Sequence, residues 1–173
     1  MEKFLPDIYQ KSIYTIDYSK LLNHGIKCLL FDLDNTIAPP NTRQVSQKTK
    51  DLFISLKQKG FKVIIFSNSL KFRVKHYQKQ LDVDAYSNAR KPFSGKFQKV
   101  MKDYGYNITE LAIIGDQLLT DIKGGNKIGI TTILVNPISK KDHIYAKITR
   151  KIENRIMNKM HENNIFSKGK YYD

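Results

Sequence analysis

Residues 28–36 read Cys28-Leu29-Leu30-Phe31-Asp32-Leu33-Asp34-Asn35-Thr36, and the fold is decided there. Four apolar residues in a row fit a strand buried on both faces, as in a parallel sheet. At its end stand two carboxylates separated by one leucine. Residues two apart on a strand face the same way. Like charges gathered at the open end of a sheet are costly unless a cation or a reaction uses them. Phosphoryl transfer uses such a pair, one carboxylate as nucleophile and the other as acid and base, beside a bound metal. The competing reading is an acidic turn, with Asn35 bending the chain and Thr36 capping a helix.

Working outward, three later segments favour the reaction. Lys62-Val63-Ile64-Ile65-Phe66 reads as a second buried strand, followed by Ser67-Asn68-Ser69. Ala89-Arg90-Lys91-Pro92 offers a lysine in a short loop. Leu111-Ala112-Ile113-Ile114 is a further strand, running into Gly115-Asp116-Gln117-Leu118-Leu119-Thr120-Asp121. Strands are expected near 27–32, 62–67, 83–87, 111–115 and 131–135, and helices near 45–59, 70–80, 95–104, 118–127 and 141–161. Gly60 falls where a helix C′ residue belongs, and Ser94 where a cap belongs. This alternation predicts an α/β fold: a Rossmann-like, doubly wound parallel sheet of about five strands. Ligands of such sheets bind beyond the carboxyl ends of the strands, where Asp32, Ser67 and Asp116 would all lie. Gly124, Gly125 and Gly129 read as structural, allowing helix and sheet to approach closely.

An aspartate pair, a hydroxyl, a lysine and further aspartates, in that order, resemble the motifs of the haloacid dehalogenase-like phosphatases. Phe4-Leu5-Pro6-Asp7, Ala89-Arg90-Lys91-Pro92 and Gly115 to Asn126 (GDQLLTDIKGGN) are similar to the YqeG family of small bacterial phosphatases. They are also similar to the related mitochondrial phosphatidylglycerophosphate phosphatases. The resemblance covers nearly the whole chain. It implies that Asp32 is the nucleophile and Asp34 the general acid and base. It further implies Mg²⁺ on the Asp32 carboxylate, the Asp34 backbone carbonyl and the Asp116 carboxylate. Asp121 would stand behind them, holding a metal-bound water or the lysine. Ser67 and Asn68 would bind the phosphate, Ser67 through its hydroxyl and both through their N–H groups, and Lys91 would neutralise phosphoryl charge. Arg90 is a weaker candidate for contact with substrate. Many relatives close a cap domain over the substrate. Here the stretch from Asp32 to Ser67 has room for one loop and one helix, and that from Ser67 to Lys91 for a helix and a short strand. No cap domain is expected, and an open site suits a bulky substrate or a cap lent by a second subunit.

The 173 residues are read as one domain, with 1–25 as a lead-in and 163–173 as a flexible tail. No apolar run is long enough to span a membrane. The N-terminus lacks the apolar core of a signal peptide. The only cysteine, Cys28, belongs to the first core strand, which fits a reducing cytoplasm. The formal charge of +14 points to anionic partners: phosphorylated substrates, an acidic membrane surface or nucleic acid. Nucleic acid is the less favoured, since no RNA-binding motif or aromatic platform is evident. Ile144, Ile148, Ile152, Ile156 and Met160 recur every four residues, predicting a last helix with one apolar stripe packed on the sheet. Lys147, Arg150 and Lys151 lie largely off that stripe, on a basic back that is either solvated or laid on anionic phospholipid at the inner face of the membrane.

These readings lead to a Mg²⁺-dependent phosphomonoester hydrolase working through an aspartyl-phosphate. Phosphatidylglycerophosphate is the favoured substrate on resemblance. A soluble phosphometabolite or nucleotide is one alternative. A basic RNA- or ribosome-associated binding protein with a vestigial site is another. The oligomeric state stays open.

Overall fold

A computed structural model describes residues 1–139 and 144–173, with the side chains of 144–147 excepted. Six parallel strands form one sheet in the order β1-β6-β5-β2-β3-β4. They are β1 (Ile8–Gln10), β2 (Cys28–Phe31), β3 (Lys62–Phe66), β4 (Asp84–Tyr86), β5 (Leu111–Gly115) and β6 (Thr131–Val135). The helices are α1 (Tyr18–Asn23), α2 (Gln47–Gln58), α3 (Lys71–Leu81), α4 (Gly95–Tyr104), α5 (Lys123–Ile128) and α6 (Ile144–Glu162). From β2 the chain steps outward to β3 and β4, then returns to β5 on the other side of β2. The strand order therefore reverses between β2 and β5, the crevice where doubly wound sheets bind ligands.

β2 and β5 are buried at every position, which is why their sequences are unbroken apolar runs. Leu29 and Phe31 face one layer, with Phe53 and Leu56 of α2 and Val74 and Tyr77 of α3. Cys28 and Leu30 face the other, with Phe97 and Val100 of α4. Each such apolar side chain contributes about 1.5–3 kcal/mol relative to exposure. Phe66 meets Phe97 with ring centroids 4.5 Å apart, and Phe31 meets Phe53 at 4.8 Å.

The helices begin and end largely where the sequence places them. Ser46 caps α2 by accepting the Thr49 N–H at 3.2 Å, and Gly60 follows it at φ +96°, a conformation that suits glycine. Ser94 stands at the cap position of α4 but makes no capping bond with its side chain. The expected 118–127 helix is a π-helical turn, Leu118–Ile122, running into α5. Gly125 lets α5 approach the sheet, since a Cβ there would lie 2.5 Å from Thr132 Cγ2 and 2.7 Å from Ile113 Cγ2. Between β2 and β3 the only regular element is α2, and between β3 and Lys91 there are α3 and β4, leaving no place for a cap domain.

Three expectations need correction. The sheet gains a sixth strand because the lead-in contributes β1, paired with β6 through Ile8 and Ile133. Asp7 anchors it, accepting from the Thr132 N–H at 2.8 Å and the Thr132 hydroxyl at 3.0 Å. Asn126 binds the neighbouring Leu5 carbonyl at 2.9 Å. Residues 163–173 are docked rather than frayed. Tyr9 and Tyr172 exchange backbone hydrogen bonds of 2.9 Å in both directions, and Phe166 is buried. That contact covers the β1 edge, which would otherwise present unpaired backbone groups.

The third correction concerns α6. Ile148 and Ile152 of the predicted stripe are exposed, while Glu153 and Met160 are fully buried. The helix is rotated so that Arg150 and Glu153 face the protein. Residues 140–143, where this helix was expected to start, and the side chains of Ile144 and Lys147 lie outside the described residues. No described helix is long and apolar enough to cross a membrane.

Candidate active site

The strand register sets Asp32 at the reversal of strand order. Phe31 is opposite Ile65 on one side and Ile114 on the other, and the Asp32 N–H donates to the Ile114 carbonyl at 2.9 Å. Asp116 follows the end of β5. Asp121 comes back to the same point from the π-helical turn, its Oδ2 accepting the Gln117 N–H at 3.2 Å. A carboxylate oxygen from each of Asp32, Asp116 and Asp121 can be chosen so that all lie within 4.8 Å of one another, and all three residues are buried. Gly115 makes this convergence possible: a Cβ there would sit 2.2 Å from Asp121 Cγ.

Lys91 enters the cluster from the loop after β4. Its ammonium donates to Asp32 Oδ1 at 2.7 Å and to Asp121 Oδ1 at 2.6 Å, and it is almost completely buried. The loop is clamped by Asn68, whose Oδ1 accepts the Lys91 N–H at 2.7 Å while its Nδ2 donates to the Lys91 carbonyl at 3.1 Å. Arg90 is exposed, at φ +56°. Asn68 thus fixes the lysine through its side chain. The Ser67 N–H, expected to face a phosphate, donates instead to the Tyr86 carbonyl at 3.0 Å. The Ser67 hydroxyl is buried and accepts the Ser69 N–H at 3.1 Å.

The Asp34 carboxylate is engaged away from the other three. Arg73 of α3 binds its Oδ1 and the Ser69 hydroxyl binds its Oδ2. Thr36 is not a helix cap; its hydroxyl donates to Asp116 Oδ1 at 3.3 Å. Asn35, at φ +63°, ties this loop to the one after β6, its carbonyl accepting the Ile138 N–H at 3.0 Å.

Arg73 and Arg150 are two charged residues that sequence reading missed as members of the site, as it missed the hydroxyls of Ser69 and Thr36. Arg150 bonds the Asp116 carboxylate and, at 2.7 Å, its carbonyl. Glu153 accepts from Arg150 at 3.2 Å and from the Leu119 N–H at 2.9 Å. The expectation that Arg150 lies on a basic outer face is therefore wrong. Nothing in the sequence separates it from the other basic residues of α6: the acidic residue three positions on, Glu153, has its counterpart in Glu162 after Lys159.

Burial pushes the Asp32 carboxyl up to about 7, Lys91 pulling against the rise and Asp121 adding to it. Asp116 is raised well above the carboxylate range by burial, against the pull of Arg150. Burial also opposes the Lys91 charge, but Asp121 and Asp32 outweigh it and hold its pKa above the ordinary value. Charge crowding among the carboxylates thus persists with both cations in place. A hard divalent cation would relieve it, and an all-oxygen donor set suits Mg²⁺.

Buried carboxylates around a lysine at the reversal point of a parallel sheet sit on a fold of the haloacid dehalogenase-like class, which solved hydrolases of that superfamily share. One is the 3-deoxy-D-manno-octulosonate 8-phosphate phosphatase of Moraxella catarrhalis, solved with magnesium, phosphate and the sugar. It has a TM-score of 0.57 at 20% identity, over 71% of this chain and 74% of that one.

The chain belongs to the mitochondrial PGP phosphatase family, whose sequence profile matches residues 1–139. It is 35% identical to the probable phosphatase YqeG of Bacillus subtilis, over 89% of this chain and 90% of that protein. It is 27% identical to the chloroplastic/mitochondrial phosphatidylglycerophosphate phosphatase 1 of Arabidopsis thaliana, over 86% of this chain and 46% of the plant protein. It therefore spans about half the length of that relative.

Proposed function

We propose that this phosphatase hydrolyses a phosphomonoester through a covalent intermediate on Asp32, supported by Mg²⁺, with the terminal phosphate of phosphatidylglycerophosphate as substrate. The observation that carries the catalytic reading is the meeting of Asp32, Asp116, Asp121 and Lys91 at one buried point open at the strand ends. Asp32 and Asp116 would hold the metal with the Asp34 carbonyl, and Asp121 would fix Lys91. Bound Mg²⁺ supplies Lewis-acid polarisation of the phosphoryl oxygens.

Asp32 attacks phosphorus in line. The ester P–O bond breaks, and the leaving oxygen takes a proton from the Asp34 carboxyl. Water then attacks phosphorus and gives a proton to the Asp34 carboxylate. The bond from phosphorus to Asp32 breaks, releasing phosphate and restoring both groups. Lys91 and the Ser67 hydroxyl, both buried, would meet the charge of the transferring group. Arg73 would keep the Asp34 carboxylate in place between the two steps.

Support for a lipid substrate comes from the family, from the substrate named for the plant relative, from the lack of a cap among the described residues and from the +14 charge. A cytoplasmic enzyme working at the inner membrane face agrees with these. The test is a substrate panel assayed with Mg²⁺: phosphatidylglycerophosphate in detergent micelles, glycerol 3-phosphate, sugar phosphates and nucleoside monophosphates. The highest kcat/KM is expected for the lipid. A higher value for any soluble phosphate would overturn the substrate assignment and leave the catalytic one standing.

A further inference from the structure

We propose that the carboxyl end of the sheet is a docking face for an anionic phospholipid bilayer, seated by Leu70, Phe72, Phe93 and Ile138. This rests on the lipid-phosphatase reading and supplies the surface through which such an enzyme would reach its substrate. The four side chains are 58%, 76%, 67% and 51% exposed. A single exposed apolar residue is ordinary on a soluble protein. Placement sets these apart.

Leu70 and Phe72 flank the start of α3, and the next residue, Arg73, holds Asp34. Phe93 lies two residues beyond Lys91. Ile138 is bonded to Asn35, the neighbour of Asp34. Because all six strands are parallel, the connections that leave β3, β4 and β6 emerge at the end that carries Asp32. Large apolar groups thus stand at the same end of the sheet as the site.

The charge around them matches one kind of surface. The stretches 67–71, 87–95 and 136–139 contain no acidic residue, while Lys71 and Arg90 are exposed among the apolar groups. Interfacial binding combines burial of apolar side chains with attraction of basic residues to anionic lipid. A second copy of the chain would bring its own +14 charge and be repelled. Asp32 is 7% exposed at this end of the sheet, and on this proposal a headgroup phosphate would meet it while the acyl chains stay in the bilayer. Arg150 is engaged with Asp116 and so is withdrawn from any basic outer face of α6.

The test compares wild-type protein with a Phe72→Ser/Phe93→Ser double variant in co-sedimentation with vesicles. One vesicle set mixes phosphatidylglycerol with phosphatidylcholine, and the other is phosphatidylcholine alone. Wild-type protein should sediment with the anionic vesicles, be released by salt and ignore the neutral ones. The double variant should bind roughly tenfold more weakly or worse, since two large apolar groups are withdrawn. Its aryl-phosphate hydrolysis should equal that of wild type, which also shows that it is folded. Equal vesicle binding by the two proteins overturns the proposal. So does equal binding to both vesicle sets, or retention of wild-type protein by RNA but not by anionic vesicles. Vesicle binding is read without turnover, so its failure contradicts the docking face alone. Inability of wild-type protein to hydrolyse any phosphomonoester contradicts the catalytic reading alone.

Discussion

Arg73 holds Asp34 with two donors on one oxygen, Nε at 3.1 Å and Nη2 at 2.6 Å from Asp34 Oδ1. The same guanidinium reaches the Thr42 carbonyl through Nη1 at 3.2 Å, so α3 and the loop after β2 are joined at the proposed general acid. Removing it should leave Asp34 chemically intact but loosely aimed. Arg73→Ala is expected to lower kcat about tenfold or more, with KM changing little. The loss should be larger for an alkyl phosphate than for nitrophenyl phosphate, because a poor leaving group depends more on the proton. Arg73→Lys should recover only part, since an ammonium cannot reproduce the forked donor geometry. Wild-type kcat on both substrates in Arg73→Ala would remove Arg73 from the mechanism.

Lys91 bridges two buried carboxylates. Lys91→Met would leave both without their cation, at a cost of about 3–5 kcal/mol in unfolding free energy and with loss of turnover. Adding Asp121→Asn should restore part of the stability but none of the activity, because the two residues share one interaction. Lys96→Ala, changing a half-buried lysine on α4, serves as the control and should be near neutral in both measurements. Similar behaviour of the Lys91 and Lys96 variants in denaturation and kinetics would show that the two buried ion pairs of Lys91 support neither stability nor turnover.

Magnesium should stabilise the fold without substrate. At a concentration a hundredfold above Kd the gain is about 2.7 kcal/mol, which for a chain of this size raises Tm by roughly 5–10 °C. Asp116→Asn should abolish the shift. Arg150→Gln should lower stability in the absence of metal and enlarge the shift, because the cation then replaces the guanidinium beside Asp116. Identical Tm values with and without Mg²⁺ in wild-type protein would exclude metal binding at the cluster.

Much of this site was legible because each residue follows a strand end. The run 28–36 located Asp32, and the runs before Ser67 and Asp116 located those residues in the same way. What was hidden depends on rotation and on pairing across long sequence gaps. Three residues, Ile-Tyr-Gln, carry too little periodicity to announce β1, which exists because β6 and Asp7 hold it. The four-residue spacing in α6 holds only towards its end, where Ile156 and Met160 pack on the core; earlier in the helix the buried Arg150 and Glu153 face inward and leave Ile148 and Ile152 exposed. Arg73 drew no notice, since it shares no motif with the aspartates and is one of 30 basic residues in the chain. Only the fold reveals that Asp34 lies beside it.

Cys28 should be inert in the folded protein. Burial raises its thiol from an ordinary 9.0 to about 12, with Lys62 opposing. The folded state therefore keeps a proton that the unfolded chain releases above pH 9. Stability from this group is complete below the unfolded pKa and declines as pH rises from about 9 towards 12. Iodoacetamide at pH 8.0, about one unit below the ordinary 9.0, should label the protein only after denaturant is added. Rapid labelling of native protein would show that the thiol is exposed.

In this mechanism Asp32 carries the phosphoryl group. Acid quenching during turnover of an aryl phosphate with Mg²⁺, followed by peptide mass spectrometry, would detect it. A phosphoryl adduct is expected on the peptide that contains Asp32, with neither adduct nor turnover in Asp32→Asn. An adduct on another residue, or wild-type turnover in Asp32→Asn, would contradict it.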